Sequence, residues 1–292
     1  MNRLLLLVTL LVLLTACSPA PMVTQPATEV IFTPASGMTA TPFKAALATH
    51  TPAEQPAQSA TPTPAPTEPT VNTGGQARAN GQLVNFETSD GQTLQGTLYG
   101  SGTTGILFLN MGDNHQASWS DLAEQAAQLG YLALTYNYRY RENGNVTRGI
   151  AGHLPEDVFA ALDFLHQQGA QELVMAGASL GGMLAAKIAA EAQAVAVVII
   201  ASPMEVPSIG FAVGAAELQA ITAPKLFITS ENDHIVDPAA LKSMYELAVE
   251  PKKLFVYPGV AHGTEIFTTS NGTDLSERLL DFFETNAPPA PN

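Results

Sequence analysis

Ser179 stands in Gly177-Ala178-Ser179-Leu180-Gly181-Gly182, a Gly-x-Ser-x-Gly pattern preceded by the apolar run 173–176 and followed by a helical stretch over 183–192. Small residues two positions away on each side let a serine hydroxyl stand clear of a sharp strand-to-helix turn. They also let backbone amides approach a substrate. The same pattern serves equally as a glycine-rich turn that only packs helix on strand, so the partners decide between the two. A serine hydroxyl is nearly inert at neutral pH and needs a histidine to take its proton, with a carboxylate to hold that histidine's tautomer. Both residue types follow later apolar runs: 226–229 leads into Ser230-Glu231-Asn232-Asp233-His234, and 254–257 into Pro258-Gly259-Val260-Ala261-His262-Gly263. Asp233 and His262 are the candidate acid and base, with Glu231 the second acid in reach.

The remaining titratable residues have plainer readings. His234, adjacent to the acid in sequence, points away from it. Asp237 before Pro238 reads as a helix N-cap. His153 and His166 flank a helix as surface residues, and His50 lies in a proline-rich stretch. Asp113 and His115 share the loop after the third strand, but no third ligand accompanies them at a suitable spacing, so no metal site is expected. No cofactor is expected either.

The elements that must position these residues begin near residue 80. Strands are expected over 83–88, 93–99, 106–109, 132–136, 173–176, 195–200, 226–229 and 254–257. Asp90-Gly91 marks a hairpin between the first two. From the third onward, each short apolar run is followed by a helical stretch, the pattern of a parallel sheet covered on both faces. Helix starts are marked by Ser120-Asp121, Pro155-Glu156-Asp157 and Asp237-Pro238.

The three loops, in the order serine, acid, histidine, resemble those of the α/β-hydrolase superfamily, in particular its serine esterases and dienelactone-hydrolase-like members. The resemblance covers residues 80–286. It implies an α/β-hydrolase fold: a mostly parallel sheet with an N-terminal antiparallel hairpin, helices on both faces and a minimal lid. It also implies Ser179 as nucleophile, Asp233 in a D-x-x-V loop as acid and His262 as base. The oxyanion would be met by the backbone N–H of Leu180, at the start of the helix, and by a second amide from the loop after the third strand. That loop reads Leu109-Asn110-Met111-Gly112-Asp113, with Asn110 where relatives carry histidine. The second donor is therefore Met111 or Gly112. Of the Asp-x-Arg-Gly tract of many relatives only Arg139 is present, and a structural role is expected for it.

Composition divides the chain further. Arg3 followed by the apolar run 4–14 is too short to span a bilayer as a mature helix and has the shape of a secretory signal. Its end, Leu14-Thr15-Ala16-Cys17, resembles the bacterial lipobox, which implies lipidation of the only cysteine. Residues 1–16 are thus read as a signal peptide and 17–79 as the lipidated cysteine followed by a Pro/Thr/Ala-rich disordered stalk. Residues 80–286 are read as the catalytic domain and 287–292 as a tail. Residues 18–79 hold 11 of the 21 prolines, and TPTPAPTEP at 61–69 favours extended conformations. The chain has 12 basic and 26 acidic residues, a net charge of −14. Before residue 80, Arg3, Lys44 and Arg78 balance Glu29, Glu54 and Glu68, so all of that charge falls on the domain. Such acidity repels phosphate backbones and anionic headgroups, which excludes nucleic acid as a partner and leaves the lipid at Cys17 as the membrane contact. The expected location is the extracytoplasmic face of a bacterial membrane.

The interval 202–224 is too short for more than a helix or two over the site. Met204, Phe211 and Val213 there, with Met111 and Trp119 opposite, are candidates for an acyl pocket, or else ordinary core. The expected activity is hydrolysis of a small or medium acyl ester through an acyl-enzyme. Acyl transfer and peptidase or thioesterase activity would use the same residues. A surface binding lipoprotein without turnover is the reading from another class.

Overall fold

The computed structural model describes residues 28–29, 81–113, 115–139 and 146–290. Its strands are β1 (Thr28–Glu29), β2 (Gln82–Glu87), β3 (Thr93–Gly100), β4 (Thr104–Leu109), β5 (Leu132–Tyr136), β6 (Glu172–Ala178), β7 (Ala196–Ile200), β8 (Glu205–Val206), β9 (Phe211–Ala212), β10 (Lys225–Ser230) and β11 (Lys252–Tyr257). The helices are α1 (Ser120–Gln128), α2 (Arg148–Ala151), α3 (Leu154–Gln167), α4 (Leu180–Ile188), α5 (Ala215–Ala220), α6 (Pro238–Leu247) and α7 (Gly272–Asn286). Nine strands form one sheet in the order β1-β11-β10-β7-β6-β4-β5-β3-β2. The run from β5 to β11 is parallel. The β2–β3 hairpin is antiparallel and turns at Gly91, whose φ of +81° suits glycine. The expected fold class is the one observed.

Alternation along each inner strand explains why the sheet is covered twice. Leu107 and Leu109 of β4, Met175 of β6, Val197 and Ile199 of β7 and Phe227 of β10 join one core with α3, α4, α5 and α6. Ile106 and Phe108, Val174 and Ala176, Val198 and Ile200, and Ile228 join the other, with α1 and α7. Because both faces are buried, these strands read as continuous apolar runs rather than as alternating ones. Each large aliphatic side chain so buried contributes roughly 1.5–3 kcal/mol. Helix starts follow the local signals. Asp237 caps α6, its Oδ1 accepting from Ala239 N at 2.9 Å with Pro238 in the first turn, and Pro155 opens α3.

Arg139 closes the hairpin end of the molecule. Its guanidinium lies 2.7 Å from Asp90 Oδ2 and 2.6 Å from Asp157 Oδ1, and its backbone N donates to Asp157 Oδ2 at 2.8 Å. Desolvation works against the Arg139 cation, but the hydrogen bonds with Asp90 and Asp157 outweigh it and raise its pKa. One buried cation thus joins the β2–β3 turn, the end of β5 and the start of α3, which is the structural role expected of it.

The signal peptide, Cys17 and most of the stalk lie outside the described residues. Thr28 and Glu29 do not: they form β1, antiparallel to β11, within the stretch expected to be a disordered stalk. Among the described residues no helix is long and apolar enough to cross a membrane.

Candidate active site

The C-terminal ends of β4, β6, β10 and β11 lie on one edge of the parallel sheet, and the loops that leave them carry Met111, Gly112, Ser179, Leu180, Asp233 and His262. Ser179 sits between β6 and α4 with φ 53° and ψ −118°. A non-glycine residue in that region carries on the order of 1–3 kcal/mol of strain, held here by its surroundings. Its N–H donates to Ile200 O at 2.7 Å. The glycines around it are required by close approach. A Cβ on Gly177 would lie 2.2 Å from Gly181 O, one on Gly181 2.2 Å from Leu109 O, and one on Gly182 2.0 Å from Ser202 Oγ. Gly-x-Ser-x-Gly-Gly thus lets α4 press on the end of β4 and on β7 while turning the serine outward.

Asp233 and His262 meet. The imidazole Nδ1 is 2.9 Å from Asp233 Oδ2 and 3.0 Å from Oδ1. The carboxylate has no solvent-exposed surface and the imidazole almost none. The D-x-x-V spacing has a local cause, since Asp233 Oδ1 also accepts from Ile235 N at 2.9 Å and Val236 N at 3.0 Å. Those two amides hold the carboxylate by bonds local to its own loop. The acid loop is laced to the histidine loop by Glu231 N to Tyr257 O, Asn232 N to Gly259 O and His234 N to Val260 O, at 2.7 to 3.0 Å. Ser230 Oγ donates to Ala261 O at 2.6 Å. Glu231, the second candidate acid, is exposed and takes part through its backbone, and His234 places Nδ1 against Val260 O at 2.8 Å.

The histidine loop reaches the serine strand. A Cβ on Gly263 would lie 3.3 Å from Ala178 Cβ, so the residues following His262 and preceding Ser179 are in contact. Among the described residues the Ser179 hydroxyl makes no hydrogen bond. The carboxylate–imidazole bond is thus formed, while no hydrogen bond joins the imidazole to the Ser179 hydroxyl among the described residues.

The two candidate oxyanion donors after β4 are not equivalent. Asn110 is buried and turned inward, its Nδ2 donating to Tyr136 O at 2.5 Å, while Tyr138 Oη donates to Asn110 O at 2.8 Å. These bonds fix the loop at the end of β5. Met111 then crosses toward the histidine loop, where Thr264 Oγ1 lies 3.6 Å from its Sδ. Gly112 is exposed and faces open space. Leu180 is buried in the first turn of α4, where amide N–H groups have no intrahelical partner and the helix dipole favours negative charge.

Of the five candidates for an acyl pocket, three turn out to be core. Trp119 is fully buried between Phe108, 5.1 Å away, and Phe267, 5.6 Å away. Phe211 and Val213 pack into the α4 core. Trp119 belongs to the core under α1 and α7, and Phe211 and Val213 are structural because the interval after β7 folds down onto α4: Lys187 Nζ pairs with Glu217 Oε1 at 2.8 Å and lies 5.7 Å from the Phe211 ring centroid. Met111 and Met204 remain half-buried. The interval itself forms the β8–β9 ribbon and the six-residue α5, as small a lid as its length implied.

Glu265 escaped sequence reasoning. Its Oε2 accepts from His262 N at 2.8 Å and lies 3.7 Å from His234 Nδ1. His262-x-x-Glu265 has the spacing of a capping box at the start of the turn over Gly263–Thr268, and that signal would have found it. Asp90, His153 and Glu156 form a cluster with ligand-like spacing, but Arg139 already lies among them, 2.7 Å from Asp90 and 3.4 Å from Glu156.

Comparison with known proteins agrees with this architecture. An esterase of Pyrococcus furiosus superposes with a TM-score of 0.59 at 14% identity, over 70% of this chain and 92% of its own. Esterase 2 of Thermogutta terrifontis, solved phosphorylated by paraoxon, gives 0.60 at 18% identity, over 74% and 97%. An uncharacterized protein of Mycobacterium tuberculosis is 27% identical over 205 residues, 62% of this chain and 72% of the relative. The model of the alpha/beta hydrolase domain matches residues 111–279, from the loop after β4 through His262 into α7, and the chain belongs to that family.

Proposed function

We propose that this chain is a serine hydrolase that cleaves a small or medium acyl ester through an acyl-enzyme, held by a lipid on Cys17 at the outer face of a bacterial membrane. Ser179 Oγ attacks the ester carbonyl as His262 Nε2 takes its proton, and Asp233 holds the Nδ1–H and stabilises the imidazolium. The oxyanion accepts from the N–H of Leu180 and, of the two candidates after β4, from that of Met111, a reading supported by the reach of its side chain to the histidine loop at Thr264. His262 then protonates the departing alcohol, and a water activated by the same imidazole releases the acid and restores Ser179. The observation that carries the reading is the buried Asp233 carboxylate on His262 Nδ1, beside a serine held at positive φ. An isolated structural turn would need neither. The esterase neighbours support an ester over other acyl groups, and the short interval between β7 and β10 supports a modest substrate.

The test is labelling by a fluorophosphonate together with hydrolysis of p-nitrophenyl acetate and butyrate. Both are expected in the native chain and absent in Ser179→Ala; labelling retained in Ser179→Ala refutes the nucleophile. For the anchor, Cys17→Ala is expected to move the protein out of the membrane fraction, and an unchanged distribution refutes it.

A further inference from the structure

Both main-chain groups of His262 bond to one residue. Its N–H donates to Glu265 Oε2 at 2.8 Å, and its carbonyl accepts from Glu265 N at 3.0 Å. The ring is held separately, at Nδ1, by Asp233. That bond fixes the tautomer, but the opposite edge of the imidazole, with Nε2, follows wherever the backbone at 262 goes. His262 is only 4% exposed. Without Glu265 its N–H would be left buried and unpaired, which favours a shift of the whole turn.

The same carboxylate reaches the acid loop. Glu265 Oε2 lies 3.7 Å from His234 Nδ1, which rests against Val260 O at 2.8 Å. His234 follows Asp233 in the chain, and its ring stands T-shaped to the His262 ring with 6.5 Å between centroids. The turn that Glu265 closes also seats Met111. Gly263 has φ 54°, a Cβ there would lie 2.5 Å from Met111 Sδ, and Thr264 Oγ1 lies 3.6 Å from the same sulfur. One side chain is therefore bonded to the backbone of the base, close to the neighbour of the acid, and part of the turn that meets the loop after β4.

We infer that Glu265 is a positioning residue for the reaction proposed above: it holds the His262 main chain where Nε2 can meet the Ser179 hydroxyl, and keeps the acid loop and the Met111 loop in register with it. Glu265 acts through His262 and not by contact with the reacting atoms. The inference rests on the serine-hydrolase reading.

The test measures kcat and KM for p-nitrophenyl butyrate, the rate of fluorophosphonate labelling and Tm, on the full chain and on Glu265→Ala, Glu265→Asp and Glu265→Gln. Glu265→Ala removes the acceptor, and Glu265→Asp keeps a carboxylate but shortens its reach by a carbon–carbon bond. A base displaced by up to about 1 Å loses on the order of 10²-fold in rate, so kcat and labelling rate are expected to fall together in both variants by about tenfold to 10²-fold, with KM within about twofold. Glu265→Gln keeps an acceptor at the same reach and is expected to stay within about threefold of the native kcat. A turn cap with no part in positioning would lower Tm and leave kcat alone. Native kcat in the folded Ala or Asp variant therefore overturns the inference, whatever its Tm. So does a Gln variant as slow as the Ala variant, because charge and not the bond to His262 would then be at stake. Failure of the underlying reading looks different: the native chain itself would neither label nor hydrolyse, and both would fall.

Discussion

Gly181→Ala tests whether the nucleophile helix and the oxyanion loop form one unit. The added methyl would lie 2.2 Å from Leu109 O and 2.6 Å from Asn110 O, both backbone atoms. That is more than 1 Å inside the ~3.5 Å of an optimal contact, so α4 and the end of β4 must separate by about that amount. Neither side yields cheaply: β4 is hydrogen-bonded between β5 and β6, and Asn110 is tied to Tyr136 and Tyr138. Overpacking of this kind destabilises by roughly 1–3 kcal/mol. For a domain of this size that lowers Tm by about 2–12 °C. On the proposed mechanism the larger effect falls on the chemistry, since the Leu180 and Met111 amides would be drawn apart. A displacement near 1 Å costs about 10²-fold in rate. Esterase kcat/KM and Tm would be measured beside Gly149→Ala, where the nearest atom to the new methyl is 3.9 Å away and no loss is expected. A folded Gly181→Ala protein with kcat/KM within twofold of the native enzyme would refute the coupling of helix and loop.

Asp233→Asn removes the carboxylate that selects the His262 tautomer, and kcat is expected to fall about 10⁴-fold while the protein stays folded; a loss under tenfold would assign the acid elsewhere. Arg139→Met strands the fully buried Asp157 charge and is expected to cost about 3–5 kcal/mol in urea unfolding. Arg139→Met with Asp157→Leu should recover more than half of that, and no recovery would mean that packing, not charge, is at stake. Lys225, whose Nζ donates to Ile221 O and Ala223 O, is pushed down to about 8 by burial. The unfolded chain therefore binds more protons than the folded one between pH 8 and about 10, and the Lys225 contribution makes stability rise with pH across that window. Lys225→Met should flatten the rise, and an identical slope in both proteins would contradict the assignment.

The fold and the serine, acid and histidine positions were legible because they rest on local chemistry. Alternating burial wrote apolar runs at the inner strands, and close backbone approach demanded glycine at 177, 181 and 182. A carboxylate held by its own following amides produced D-x-x-V at Asp233. The choice between acyl pocket and core stayed open because Trp119, Phe211 and Val213 carry the same residue types whether they line a cavity or fill a core. For Phe211 and Val213 the outcome depends on how the segment after β7 folds onto α4, and for Trp119 on the packing under α1 and α7. Glu265 was overlooked although His262-x-x-Glu265 is a local pattern, because the histidine's chemistry drew attention away from its backbone.

By itself, then, the sequence determined the alternation of strands and helices, the order of the three loops and the acidity confined to the domain, all properties of neighbouring residues along the chain. Only the tertiary structure decided that the Met111 side chain reaches Thr264 of the histidine loop and that Trp119, Phe211 and Val213 fill cores. It also decided that a pair of residues from the proline-rich segment lies on β11. Those outcomes depend on which backbone groups and side chains distant parts of the chain bring together, and no local spacing encodes that.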